Sequence, residues 1–291
     1  MPSGFIIAIG DILLFGFIPV FAHYYVAKLD PLLFSAAITL VGSLPFLFYL
    51  GVTKQLNELY RPKMRMSFFL ISLFAALGTA FLFVGTKMTS GINTGLLLQT
   101  ESLYSLLLSS IFLNEIITKN HLMSALVMIL GAGIIVIKKS FHFNPGDILI
   151  LSVPLIFQFG HLVAKKLLKS NNNPNIIVAA RLFYSGIMLI IAALLINPSA
   201  IKELFILNNL YVVVIFALIF RSLDMFLWYQ ALKRVNLSVI SAMIPLNVSS
   251  ALIGSVVFLK EIPTFQQYLG ALCIIGGLVW LSLIQLKTHK S

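Results

Sequence analysis

Arg221 and Asp224 stand three residues apart inside a long apolar run, where unpaired charge is costly. On a helix that spacing puts both on one face. Either they neutralise each other as a structural pair, or they face a polar substrate. A guanidinium is a rigid planar fork suited to carboxylate or phosphate. Glu101, in Leu98-Gln99-Thr100-Glu101-Ser102-Leu103-Tyr104, is a carboxylate of the kind that carries a proton. Its plainer roles are a hydrogen bond to a neighbouring helix, or a salt bridge to Arg181 or Arg221. Asp11, about two turns into the first apolar run, either lines the mouth of a cavity or caps a neighbouring backbone. His23 and His161 stand toward the ends of their runs, as gates or pH-responsive groups, or as ordinary interfacial histidines. Gln99, Gln158, Gln230, Tyr104, Trp228 and Tyr229 are of the types that give a cavity hydrogen bonds and aromatic walls. With 24 Phe in the chain, helix packing is the simpler role for the aromatics.

The elements that must hold these groups follow from composition. Of the 291 residues, 59% are hydrophobic and only 10% charged, and mean hydropathy is +1.02. A soluble domain has about 25% charged residues, so lipid is the solvent for most of this surface. A charge at bilayer depth costs about 2.5–3.5 kcal/mol on insertion scales and persists mainly where it faces a cavity or a partner. The net charge of +11 comes from short basic clusters between apolar runs. That pattern fits the positive-inside bias and argues against a nucleic-acid partner.

A membrane-spanning helix needs roughly 20 apolar residues. Ten runs qualify: 4–25, 31–50, 67–86, 92–113 and 120–137, then 146–168, 175–196, 209–232, 237–259 and 264–286. Asp30-Pro31, Asn173-Pro174, Asn197-Pro198 and Ile262-Pro263 punctuate them as turn or helix-start signals. Asn144-Pro145-Gly146-Asp147 separates the halves, and residues 51–66 form the longest polar connection. Met1 to Gly10 has no Lys or Arg, so the first run reads as a retained helix rather than a secretory signal. With the N-terminus cytoplasmic, 12 Lys and Arg fall on the cytoplasmic side and 6 opposite, which puts both termini in the cytoplasm and the chain in the cell (inner) membrane.

The chain also repeats itself. Phe112-Leu113-Asn114-Glu115-Ile116 recurs as Phe258-Leu259-Lys260-Glu261-Ile262 at an offset of 146, which also carries Gly131 onto Gly277 and Glu101 onto Asn247. Ala22-His23-Tyr24-Tyr25-Val26-Ala27-Lys28 resembles Gly160-His161-Leu162-Val163-Ala164-Lys165 at an offset of 138. The halves, 1–140 and 141–291, hold five runs each. An odd number forces similar halves into opposite orientations, the arrangement of secondary transporters with alternating access. Ser250, Gly254, Gly131 and Gly133 allow close helix approach. No Gly-x-x-x-x-Gly-Lys-Ser/Thr loop or His-Glu-x-x-His motif occurs, and the lone Cys273 has no metal-ligand spacing around it. No cofactor or metal is expected. A channel or a membrane-embedded enzyme are the alternatives from other classes; the enzyme would need a nucleophile with a base, or a metal cluster.

Residues 91–133 read as a helix, Leu-Asn-Glu, then a helix with Gly131 and Gly133; residues 238–277 repeat this with Leu-Lys-Glu, Gly270 and Gly276-Gly277. This pattern resembles the EamA-type branch of the drug/metabolite transporter superfamily, over nearly the whole chain. The resemblance implies an all-α membrane protein of ten transmembrane helices, two inverted five-helix repeats around a central cavity. Helices one, three, four, six, eight and nine would line the cavity, and five and ten would pack at the periphery. Such proteins mostly export amino acids, other metabolites or drugs without ATP hydrolysis. Uptake or exchange of a metabolite is the nearest alternative. Glu115 and Glu261 match the family's glutamate at the fourth-helix end, where a structural role is expected. Ser102 and Val248 stand where the family often has proline, with Pro245 one turn earlier. The expected substrate and proton pathway is Glu101, Arg221, Asp224, Asn247, Gln99, Asp11, Tyr104, Trp228, Gln158 and His161. The expected partners are a small-molecule substrate and the lipid bilayer; the sequence leaves oligomeric state open.

Overall fold

The computed structural model describes residues 2–113, 118–136, 144–169, 173–204, 206–234 and 246–288, so Glu115 and Pro245 lie outside the described residues. Among those described, the chain is helical and has no strand. The helices are α1 (Pro2–Val26), α2 (Pro31–Val52), α3 (Arg65–Met88), α4 (Gly91–Leu97), α5 (Glu101–Leu113), α6 (Lys119–Val136) and α7 (Pro145–Lys169). After them come α8 (Pro174–Ile196), α9 (Ile201–Leu204), α10 (Leu207–Ala217), α11 (Asp224–Arg234), α12 (Leu246–Leu259) and α13 (Phe265–Thr288). Helix fills part or all of every apolar run named above. Six of the helical stretches are long and apolar enough to cross a membrane, and three shorter apolar helices lie within α6, α12 and α13.

The helix starts are written in local chemistry. Asp30 caps α2, its Oδ1 accepting from the Leu33 amide at 2.9 Å. Ser90 caps α4 through the Asn93 amide at 3.0 Å, and Asn173 caps α8 through the Asn175 amide at 3.0 Å. Pro31 and Pro174 follow their caps, where a missing N–H costs nothing. Leu98–Thr100 is a 3₁₀ turn between α4 and α5, and Leu218–Leu223 is a π-helical segment between α10 and α11.

The chain forms two compact units, each drawing on both halves. The first contains residues 1–24, 85–155 and 227–291. Its most extensive contact joins α6 to α13. There Gly131 fits against Cys273 and the Gly270 carbonyl, and Gly277 against Met128 and the Ser124 carbonyl. A β-carbon at either glycine would collide with backbone, so the close approach is specified by size. Gly254 admits the ring of Phe17, and Phe17, Phe21 and Phe258 form an aromatic cluster.

The second unit contains residues 25–84 and 156–226. Its main contact joins α2 to α8, where Gly186 takes Leu40. Phe34, Phe83, Phe216 and Phe220 make its aromatic core, with ring centres as close as 4.9 Å. At one end Asp30 does three jobs. Besides capping α2, its amide donates to Glu203 Oε2 at 2.7 Å, and its Oδ2 accepts from Asn197 Nδ2 at 3.2 Å.

Candidate functional site

The predicted polar residues divide between the units. Arg181, Arg221, Asp224, His161 and Gln158 fall in the second; Asp11, Gln99, Glu101, Tyr104, Trp228 and Asn247 fall in the first.

In the second unit the π segment sets the geometry. A π turn closes i→i+5 and takes in an extra residue, so neighbours three apart swing further round the axis than on an α-helix. Arg221 lies inside this segment and Asp224 just past it. Among the described residues no salt bridge joins them. Arg221 instead lies over the ring of Phe83, 5.7 Å from its centre, and its Nη2 donates to Thr79 Oγ1 at 3.4 Å. Arg181 lies over Phe157 at 5.8 Å. Ring faces attract cations through their quadrupole, so the ring of Phe83 holds Arg221 without cancelling its charge. Asp224 is 4% exposed. The charges of Arg181 and Arg221 both act on it, and that of Arg181 also reaches His161. Gln158 and His161 are half-buried on α7, the helix that carries Phe157.

Gly42 of α2 makes this arrangement possible. A β-carbon there would strike Cβ of Arg221. With none present, Ser222 Oγ donates to the Gly42 carbonyl at 2.8 Å and lies 3.3 Å from the Ala217 carbonyl five residues back. These contacts occupy the loosened backbone of the π turn.

In the first unit Gln99 sits on the 3₁₀ turn and its Nε2 donates to the Gly95 carbonyl at 3.0 Å. Its Oε1 and the Oδ1 of Asn247 are buried acceptors with no hydrogen-bond partner among the described residues. The two belong to helices in contact, since Gly95 meets Ala251 and Gly16 of α1 meets the Asn247 carbonyl. Glu101 and Tyr104 are half-buried one turn apart on α5. Asp11 is 4% exposed, next to Ile12, which packs with Ala8, Ala231 and the ring of Trp228. Trp228 thus contributes to helix packing.

Two polar nodes at helix ends complete the first unit. Glu261 accepts from the Gly91 and Ile92 amides at 2.7 and 2.8 Å, placing a carboxylate on the free N–H groups that open α4. His23 Nε2 is 3.8 Å from Glu261 Oε1, and its Nδ1 is 2.7 Å from the Thr86 carbonyl. Glu261 thus takes the structural place the sequence suggested. Asp147 was read only as part of the break between halves, yet it is 0% exposed. Its Oδ1 accepts from Thr89 Oγ1 and from Asn93 Nδ2, the latter at 2.9 Å, and Gln267 Nε2 donates to Asn93 Oδ1 at 2.7 Å. An aspartate in a first helical turn ordinarily faces water. The available signal was the glycine pair Gly85 and Gly146, which pack α7 onto the end of α3.

The model of the EamA-like transporter family matches residues 2–137 and again 144–283. The chain belongs to the EamA-like transporter family. It is a multi-pass membrane protein built on two copies of the EamA unit, within a family of transporters. Its fold is similar to that of a protein of known crystal structure, with TM-score 0.69 and 16% identity over 97% of this chain and 98% of that one. No curated protein matches it.

Proposed function

We propose that this EamA protein is a secondary transporter that exports amino acids or related small metabolites or drugs by alternating access, coupled to protons. In this reading ten helices cross the cell (inner) membrane as two inverted repeats, 1–140 and 141–291, around a central cavity, with both termini cytoplasmic. The pathway residues are Arg221, Asp224, Glu101, Asn247, Gln99, Asp11, Tyr104, Trp228, Gln158 and His161. The observation that carries the reading is Arg221, a cation within a membrane helix that rests on Phe83 and lacks a salt bridge to Asp224. A cation so held offers its fork to an anionic group, and an amino acid carries one.

The test is flux in proteoliposomes with the full chain. Saturable flux with counterflow is expected, and Arg221→Gln should lower it by at least about tenfold, since hydrogen bonds to charged groups contribute about 1.5–3 kcal/mol. Non-saturating flux without counterflow would identify a pore. Undiminished flux of a carboxylate substrate in Arg221→Gln would remove Arg221 from the site.

A further inference from the structure

Away from these residues, α3 and α8 enclose a hollow. A cavity of about 280 Å³ is walled by Phe68 and Phe69 on α3 and by Ile187 and Met188 on α8. Leu59, Tyr60, Arg65 and Tyr184 complete its lining. Ser72 Oγ donates to the Ala180 carbonyl at 3.1 Å and ties the two helices together. Both walls belong to apolar spans, and Phe69 is 49% exposed.

The chain beside it is basic. Residues 54–65, which contribute Leu59, Tyr60 and Arg65 to the lining, hold Lys54, Arg61, Lys63 and Arg65 with a single acid, Glu58, which is taken by Arg61 at 3.1 Å. Tyr184 Oη donates to the Leu59 carbonyl at 3.0 Å and fastens the Leu56–Tyr60 turn beside the opening. An apolar slot between membrane spans, with an arginine in its lining and a basic stretch of chain beside it, matches an amphiphile with an acidic head group. We propose that this groove holds one acyl chain of an anionic glycerophospholipid, with its phosphate on Arg65 and Tyr60. Basic pockets between membrane helices recognise such head groups by charge, while the tail supplies the apolar contact.

The experiment uses the full chain in detergent with phosphatidylglycerol or phosphatidylcholine of identical acyl chains, reading retained lipid by native mass spectrometry and stability by thermal melting. The wild type should retain phosphatidylglycerol with roughly fivefold preference, the increment of one basic residue. Arg65→Gln should abolish the preference and Arg65→Lys keep most of it, and both should melt at the lipid-free wild-type temperature. Ile187→Trp, which fills the slot, should reduce retention of both lipids. Equal retention of both lipids by the wild type, or an unchanged preference in Arg65→Gln, would overturn the proposal. So would release of the lipid by equimolar soluble glycerophosphate, which would mark a free-phosphate site.

Discussion

A guanidinium resting on a benzene ring keeps its charge available, whereas one locked to a carboxylate does not. That difference governs how single residues in this chain should respond to change. Asp147 is a structural counter-example, because its carboxylate serves donors already present. Asp147→Asn keeps an acceptor oxygen for Thr89 and Asn93 and should cost little, while Asp147→Ala orphans both donors and should cost about 1–3 kcal/mol in thermal unfolding. A comparable loss in both variants would show that the negative charge itself matters. Glu101→Gln separates chemistry from packing in the same way: if Glu101 carries the coupled proton, substrate counterflow persists while the pH dependence of net flux disappears. Unchanged pH dependence would exclude it. Glu101, Arg221 and Asp224 were legible because charge inside apolar runs announces itself. Asp147 was not, because it stands beside Pro145 and Gly146, where a solvated first turn is the usual outcome.

The decisive element is the π segment. Arg221 and Asp224 read as helical neighbours by count, but a π turn, with its extra residue, falls just before Asp224, and among the described residues no salt bridge joins the two. Nothing in Leu218–Leu223 signals that insertion, since π turns arise where tertiary contacts take over the freed backbone groups. Here those contacts come from Gly42, some 180 positions away from Ser222 in sequence. Gly42→Val should therefore disturb transport more than its position on α2 would suggest, lowering both flux and melting temperature. Ser222→Ala, which deletes one hydrogen bond, should cost only about 1 kcal/mol. Equal and small effects would mean that α2 tolerates displacement from Arg221. The helix caps Asp30, Ser90 and Asn173 followed from local residue chemistry, as did the glycines of α6 and α13. Contacts between distant segments did not.

At the scale of the molecule, the repeat motifs Phe112 to Ile116 and Phe258 to Ile262 made the doubling readable, while the interleaving of both halves in each compact unit was beyond any local pattern. Orientation is tested with a single reporter thiol, Cys273→Ser combined with Ser291→Cys. An impermeant maleimide applied to intact cells should leave it unlabelled, and labelling from outside would reverse the assigned topology. The two largest helix contacts, α2 with α8 and α6 with α13, each pair the corresponding helix of one half with that of the other. Gly131 and Gly277 exchange equivalent roles across the second of these. Such a surface is nearly self-complementary, as in a symmetric dimer. Residues 1–140 expressed alone should therefore associate as homodimers, and adding 141–291 on a separate chain should displace those dimers in favour of the mixed pair, readable by crosslinking between α6 and α13. The gene duplication would then have joined covalently two protomers that already recognised each other.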